Sequence, residues 1–297
     1  MNADKIAHAL GDARREGRGW RCRCPLHGGR SLVVKDGSEQ LLVTCWAGCH
    51  SLDVLAELRR RGLLEGKGRH RLLTSAPIIE REESAHAARI ARALAIWCEA
   101  QPMDGTIAET YLRSRGIDLK PWPVTLRFHP RCPRPRDEAG KIVLPLSAMV
   151  GLVEHVERGP VAIHMTYLSN DGTGKAATKP SKAFLGPVRA GAVRIGNVRS
   201  GEWLLIGEGI ETSASAAIAC AMPAWAALSA GGIKRLALPS EATQVIICAD
   251  NDANGVGQRA ANEAAERFLA EGRRVRVVTP PNPDSDFNDM LIGGPNW

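Results

Sequence analysis

No stretch of 18 consecutive apolar residues occurs in the 297-residue chain, which excludes a membrane-spanning helix. The N-terminus, MNADKIAHALGDARREGRGW, lacks the apolar centre of an export signal, so a cytoplasmic protein is expected. Internal repeats and low-complexity tracts are absent. A phosphate-binding P-loop is missing too. The near match DGTGKA at 171–176 has Ser169 where the first glycine belongs and Ala176 where Ser or Thr belongs, so the chain carries no helicase motor of that type. Tyrosine is almost missing, with only Tyr111 and Tyr167, and Tyr111 reads as a packed residue of its helix.

What is present is ordinary for a soluble globular protein, at 44% apolar and 24% charged residues. The length allows one large domain or two to three small ones. The net charge of +7 is unevenly spread. Residues 1–74 hold 14 Lys/Arg against 8 Asp/Glu, residues 75–200 hold 18 against 12, and residues 201–297 hold 7 against 12. The first two parts suit a polyanionic partner and the last suits bound cations.

Four of the eight cysteines (Cys22, Cys24, Cys45, Cys49) crowd into 28 residues. Without an export signal, such crowding points to a metal rather than to disulfides. Cys98, Cys132, Cys220 and Cys248 are scattered and read as small buried hydrophobes. Zinc takes four tetrahedral Cys or His ligands, commonly supplied as two short-spaced pairs. Cys24 with His27, and Cys45 with Cys49, meet that need, while Cys22 and His50 are the spare donors. Strands at Ser31–Lys35 and Gln40–Thr44, turning at Asp36-Gly37, would bring the pairs together. Ser51 would cap a helix reaching Leu58. A closed site of this kind is structural, so any function belongs to the surrounding Arg21, Arg23, Arg30 and Lys35.

A linker is expected at 71–84, then a helix with Ala88, Ala91, Leu94, Ala95 and Trp97-Cys98 on its apolar side. Strands follow at Val124–Phe128, Ile142–Leu146 and Val161–Tyr167. From Glu202 the pattern alternates. Strands at Trp203–Ile206, Trp225–Leu228, Gln244–Cys248 and Arg274–Val278 are separated by helices at Glu211–Cys220 and Asn254–Glu271. The second helix should bury Ala260, Ala261, Ala264, Ala265, Phe268 and Leu269. Alternation of this kind builds a largely parallel sheet, whose ligands sit at the carboxyl ends of the strands.

Three acidic stretches lie at those ends: Glu208 to Glu211, Asp250-Asn251-Asp252, and Asp284 to Asp289 with Asp286 between. Each alone has a plain alternative as a turn or exposed loop. Together their carboxylates need a cation, and hard oxygen donors select Mg²⁺ or Mn²⁺. Just before them, Lys175, Lys179, Lys182, Arg189 and Arg194 punctuate a loop-rich run. Their chemistry suits nucleoside triphosphates or template phosphates, and their plain alternative is a solvated basic surface.

The run Leu205-Ile206-Gly207-Glu208-Gly209, then Asp250-Asn251-Asp252, then Asp286, resembles the Toprim domain of bacterial-type primases, topoisomerases and some nucleases. Cys24-Pro25-Leu26-His27 with Cys45 to Cys49 is similar to the zinc finger of bacterial and phage primases, departing from it by one extra residue in the second pair. Tyr111-Leu112-Arg113-Ser114-Arg115-Gly116 resembles the segment that opens the primase catalytic core. The resemblance implies an α/β chain, mixed α+β overall. It would have a zinc-ribbon-like finger at 1–70, a basic α+β subdomain at 85–200 and a parallel, Rossmann-like Toprim sheet at 201–297. It further implies one structural Zn²⁺ on Cys24, His27, Cys45 and Cys49. Catalytic Mg²⁺ or Mn²⁺ would sit on Glu208, Asp250, Asp252 and Asp286. Lys175, Lys179, Lys182 and Arg194 would bind nucleotide or DNA. The implied activity is a DNA primase, making short RNA primers on single-stranded DNA from NTPs. It would serve a phage, plasmid or mobile element beside a separate replicative helicase. The alternatives are a Toprim-type nuclease and a non-catalytic DNA-binding accessory. A topoisomerase would need a nucleophilic tyrosine on a separate gate domain, for which the chain is too short.

Overall fold

The computed structural model describes residues 2–37, 41–45, 49, 51–64, 76–135, 141–251, 253 and 255–293. The chain separates into two compact units, Met1–Ile78 with Arg136–Lys141, and Ile79–Pro135 with Ile142–Trp297.

The first unit opens with α1 (Ala3–Leu10), capped by the Asn2 side chain, which accepts from the Lys5 N–H. Four antiparallel strands follow in chain order: β1 (Arg14–Glu16), β2 (Gly19–Cys22), β3 (Leu32–Asp36) and β4 (Leu41–Cys45). The β3 and β4 strands lie one residue later than the sequence pattern implies. Helix α2 (Ser51–Arg60) follows. Ser51 does not cap it: its hydroxyl donates to the Val43 carbonyl, tying the helix start to β4. Ile6, Leu32, Val34, Val54 and Leu58 form the small core.

The second unit stacks two sheets. Its first helix, α3 (Ala76–Glu99), starts inside the segment read as a linker. Among the described side chains of α3, Ala93, Ile96 and the expected Trp97 are buried, whereas Ala88, Ala91 and Ala95 are exposed. After α4 (Ile107–Ser114) comes an antiparallel sheet of β5 (Leu126–Cys132), β6 (Leu146–His155), β7 (Gly159–Tyr167) and β8 (Lys182–Leu185). Residues 142–145 are not a strand. Pro145 has no N–H for a ladder, so pairing begins at Leu146, and Ile142 and Leu144 stay exposed.

The second sheet has the order β13-β12-β10-β11-β9, from β9 (Val193–Ile195), β10 (Trp203–Gly207), β11 (Ala224–Ala226), β12 (Gln244–Cys248) and β13 (Arg274–Val278). All its pairings are parallel except β9 against β11. Strand β9 comes from before residue 201, and completes this sheet as its antiparallel edge. Helices α5 (Ile210–Cys220), α6 (Ala230–Arg235), α7 (Val256–Ala270) and α8 (Phe287–Gly293) complete the unit. The two sheets meet closely because β6 carries Gly151. A Cβ there would lie 2.9 Å from Val193 Cγ2 and 3.1 Å from Ile210 Cδ1. Helix α7 buries Ala260, Ala261, Ala264 and Phe268 as its spacing implies, whereas Leu269 is exposed. Cys132 and Cys248 are buried, but Cys98 and Cys220 are exposed, each lying off the buried stripe of its helix.

Candidate functional site

The first unit brings Cys24, His27, Cys45 and Cys49 together, with one ligand atom of each within 4.8 Å of all the others. The register explains how. Leu32 of β3 pairs with Cys22 of β2 on one side and Cys45 of β4 on the other, so the ends of β2 and β4 lie close together. A tight turn, with Gly28 N–H donating to the Cys24 carbonyl at 2.9 Å, folds His27 back. The Sγ atoms of Cys24 and Cys49 are 3.8 Å apart, and His27 Nε2 is 3.2 Å from Cys45 Sγ. Three sulfurs and one imidazole at these separations fit a tetrahedral zinc ion, whose ligand bonds are about 2.0–2.3 Å. Cys22 is not part of the group. It is fully buried in the core, where burial pushes its thiol up to about 11. The other spare donor, His50, lies outside the described residues. Of the basic residues around the finger, Arg21 pairs with Glu16, while Arg23 and Arg30 share Asp12 at 2.7 and 2.8 Å.

In the second unit the acidic segments converge at one edge. Gly207, Cys248 and Val278 end neighbouring parallel strands in register, so Glu208, Asp250 and the final acidic loop leave the sheet side by side. Gly207 is needed at the first of these turns. A Cβ there would lie 2.5 Å from Ser213 Oγ, preventing α5 from closing on the strand end. Backbone bonds join the other two segments: Asn251 N–H donates to Ser285 O at 3.1 Å and Asp284 N–H to Asn251 O at 2.8 Å. The Asn251 carboxamide donates to Pro280 O and Asn282 O. Asp284 accepts from the Ala253 N–H. Asp286 Oδ1 accepts the N–H groups of Asn288 and Asp289 at 2.7 and 2.9 Å, and Asp289 accepts the Asp286 N–H in return. This reciprocal cap starts α8 and leaves Asp286 Oδ2 for another partner. Asp252 lies outside the described residues. The donors at this edge are carboxylate oxygens, the set a Mg²⁺ or Mn²⁺ ion prefers.

Beside that edge lies a group the sequence reading did not assemble. Glu211, in the first turn of α5, is buried at 5% exposure. Tyr111 of α4 donates to its Oε1 at 2.7 Å. Lys175 Nζ is 3.2 Å from the same oxygen, and Lys182 Nζ is 3.5 Å from Oε2. Burial pushes the Glu211 carboxyl up, but the two ammonium groups and the Tyr111 hydroxyl outweigh it, and the net shift is downward. Burial, then the Glu211 charge and hydrogen bond, hold the Tyr111 phenol far above its ordinary range. Burial lowers Lys175. His164, 3% exposed on β7, is lowered to about 4, chiefly by burial and then by Lys182. One signal for this group was in the sequence: Glu211 is the sole charge in an otherwise small and apolar helix, and a buried carboxylate requires a cationic partner.

Lys175, Lys179 and Lys182 line one open groove of about 920 Å³ that runs along residues 175–182. Arg194 is elsewhere, on β9, 3.5 Å from Glu154 and stacked 4.5 Å over the Trp225 ring. Arg189 is exposed.

Residues 203–295 match the Toprim family profile, so the C-terminal sheet with its acidic edge is a Toprim domain. Residues 87–195 match a domain of unknown function (DUF7146). Among solved structures, the chain is similar to a DNA primase domain from Pseudomonas aeruginosa (17% identity, TM-score 0.45, covering 70% of this chain and 74% of that one). It is similar to the DnaG primase catalytic domain bound to ssDNA (16%, 0.48, 72% and 78%). It is also similar to the Aquifex aeolicus primase, zinc-binding and RNA polymerase domains (14%, 0.42, 99% and 80%). No curated protein matches the sequence. No helix among the described residues is long and apolar enough to cross a membrane.

Proposed function

We propose that this chain is a DNA primase that joins ribonucleotides on a single-stranded DNA template. The reading gives residues 1–70 to a zinc finger, 85–200 to a basic subdomain and 201–297 to a Toprim catalytic domain. The observation that carries it is the in-register convergence of three acidic segments at the carboxyl edge of a Toprim sheet, beside a groove of lysines. Glu208, Asp250, Asp252 and Asp286 hold the divalent ion. When bound, that ion supplies positive charge to the attacking and leaving oxygens of nucleotidyl transfer. Lys175, Lys179 and Lys182 bind phosphates by charge-assisted hydrogen bonds. Glu211 and Tyr111 fix Lys175 and Lys182 at the mouth of the groove. Arg194 contributes through β9, where it holds the strand in place. The finger and the basic subdomain contact the template backbone. A separate replicative helicase supplies unwound DNA.

The test is a priming assay with purified protein, mixed-sequence single-stranded DNA, Mg²⁺ and labelled NTPs, beside Glu208→Gln and Asp250→Asn. Short template-dependent products that disappear in both variants are expected. Products that persist in the variants would remove the metal assignment. Cleaved template without products would turn the reading to a nuclease.

A further inference from the structure

Residues paired across two strands share a face, and the β7–β8 register pairs Thr166 with Lys182 and His164 with Phe184. All four therefore lie on one face of the sheet. Ile163, Met165, Ala183 and Leu185 lie on the other, where they cluster with Ile96 and Trp97 of α3. The face that carries Lys182 is turned to α5, because Lys182 Nζ reaches the Glu211 carboxylate. On it His164 and Thr166 are buried, while Phe184 is 46% exposed. Part of the Phe184 ring packs against the His164 imidazole, with centroids 5.0 Å apart. The rest is open to solvent on β8, an edge strand among the described residues.

Single exposed apolar side chains are common on protein surfaces and need no partner. Phe184 differs in type and in neighbours. Of the twelve large apolar side chains exposed among the described residues, it alone is aromatic. Lys182 lies two residues before it, about 7 Å away on the same face. Lys182 and Lys175 set two ammonium groups against one carboxylate, which leaves an excess of positive charge and spare N–H donors. Glu211, which they share, follows Glu208 by three residues, so its Cα lies at most about 11 Å from that of the proposed metal ligand. The two lysines converge on one point beside the acidic edge instead of spreading along a track. Converging charge suits adjoining phosphates on one small molecule, and a flat apolar ring beside it suits a base. We infer that Phe184 is the stacking surface for the base of a nucleoside triphosphate whose phosphates lie on Lys175 and Lys182. His164 holds the ring in place from behind. Phenylalanine offers no hydrogen bond, so the surface accepts every base. The inference rests on the proposed function for the class of substrate and adds the place of its base.

The experiment reads binding, not priming. Equilibrium dialysis of the full chain with Mg²⁺ compares ATP with inorganic tripolyphosphate, which has the phosphates and no base. Phe184→Leu, which keeps an apolar side chain, should weaken ATP about tenfold and leave tripolyphosphate unchanged, and Phe184→Tyr should restore ATP. Thermal melting that coincides with the parent's shows that the Leu variant is folded. A second measurement needs no variant: 8-azido-ATP photolysed on the parent chain should label the tryptic peptide of residues 183–189. ATP bound no more tightly than tripolyphosphate by the parent, ATP affinity unchanged in Phe184→Leu, equal loss of both ligands, or label confined to other peptides overturns the inference. Loss of single-stranded DNA affinity in Phe184→Leu with ATP unchanged overturns it too, and gives the ring to the template. Primers made normally under any of these outcomes would leave the primase reading standing. Phe184-dependent ATP binding in a chain that makes no primers would remove that reading and keep the base site.

Discussion

At the scale of single residues, Glu211 is a carboxylate on which a phenol and two ammonium groups converge. It is buried, and it carries the negative charge that lets Lys175 and Lys182 approach each other. Removing one partner of a buried ionic group strands the other charges, at a cost of about 3–5 kcal/mol. Glu211→Gln keeps the shape and an acceptor for Tyr111 but not the charge. It should lower stability by about 3 kcal/mol in urea unfolding, and a midpoint equal to the parent's would mean the lysines do not depend on it. The neighbouring His164 gives a pH signature. Burial first, then Lys182 and Lys175 against Glu211, depress it to about 4, compared with about 6.5 in the unfolded chain. The unfolded state therefore binds more protons between those values. The stabilisation is complete above pH 6.5 and is lost as pH falls toward 4, with a slope of at most about 1.4 kcal/mol per pH unit. His164→Gln should flatten the acid side of the stability profile, and an unchanged profile would assign the acid loss to other groups.

At the scale of elements, α8 shows how one carboxylate serves two demands. Asp286 caps the helix with Oδ1, and the proposed ion contact falls to Oδ2. Asp286→Asn preserves an oxygen acceptor for the cap, whereas Asp286→Ala removes it, at about 1 kcal/mol. Priming lost in both variants, with stability lost only in Ala, is the expected pattern. Full priming in Asn would leave Asp286 a cap and nothing more. The elements differ in how far the sequence reveals them. Strands β12 and β13 are readable to the residue because β-branched runs are bounded by Asp, Gly and Pro. Their carboxyl ends then locate Asp250 and the loop that carries Asp286, and the end of β10 locates Glu208. Strands β8 and β9 are four and three residues of mixed character, and they exist because neighbouring strands offer edges to pair with. The same limit hides Glu211. Its partners lie on α4, on the β7–β8 connection and on β8, and Tyr111 is 100 residues away in the chain, so no local spacing announces the contact. Residues 142–146 fail in the opposite sense, since their apolar alternation resembles a strand while Pro145 denies it a ladder.

At the scale of the whole molecule, the two units are stabilised by different means. The second has two sheets and several helices around extensive apolar clusters, enough to fold on burial alone. The first is a short meander with two helices around a core of a few aliphatic side chains. Chains of about 60 residues bury only about 60% of their unfolded surface and are marginal without a staple. The Cys24–His27–Cys45–Cys49 group supplies one, because ion binding at a structural site is itself folding free energy. Calorimetry of the full chain should therefore show two transitions when zinc is present. Stripping the ion with a chelator should erase the transition of the first unit and leave that of the second in place, and Cys45→Ala should reproduce the stripped profile without chelator. Restoring zinc should recover the lost transition in the parent chain but not in Cys45→Ala. Two transitions that survive chelation would show that the small core suffices and that the cluster holds no folding ion. Loss of both together would show that the second unit depends on the first, which its own clusters give no reason to expect.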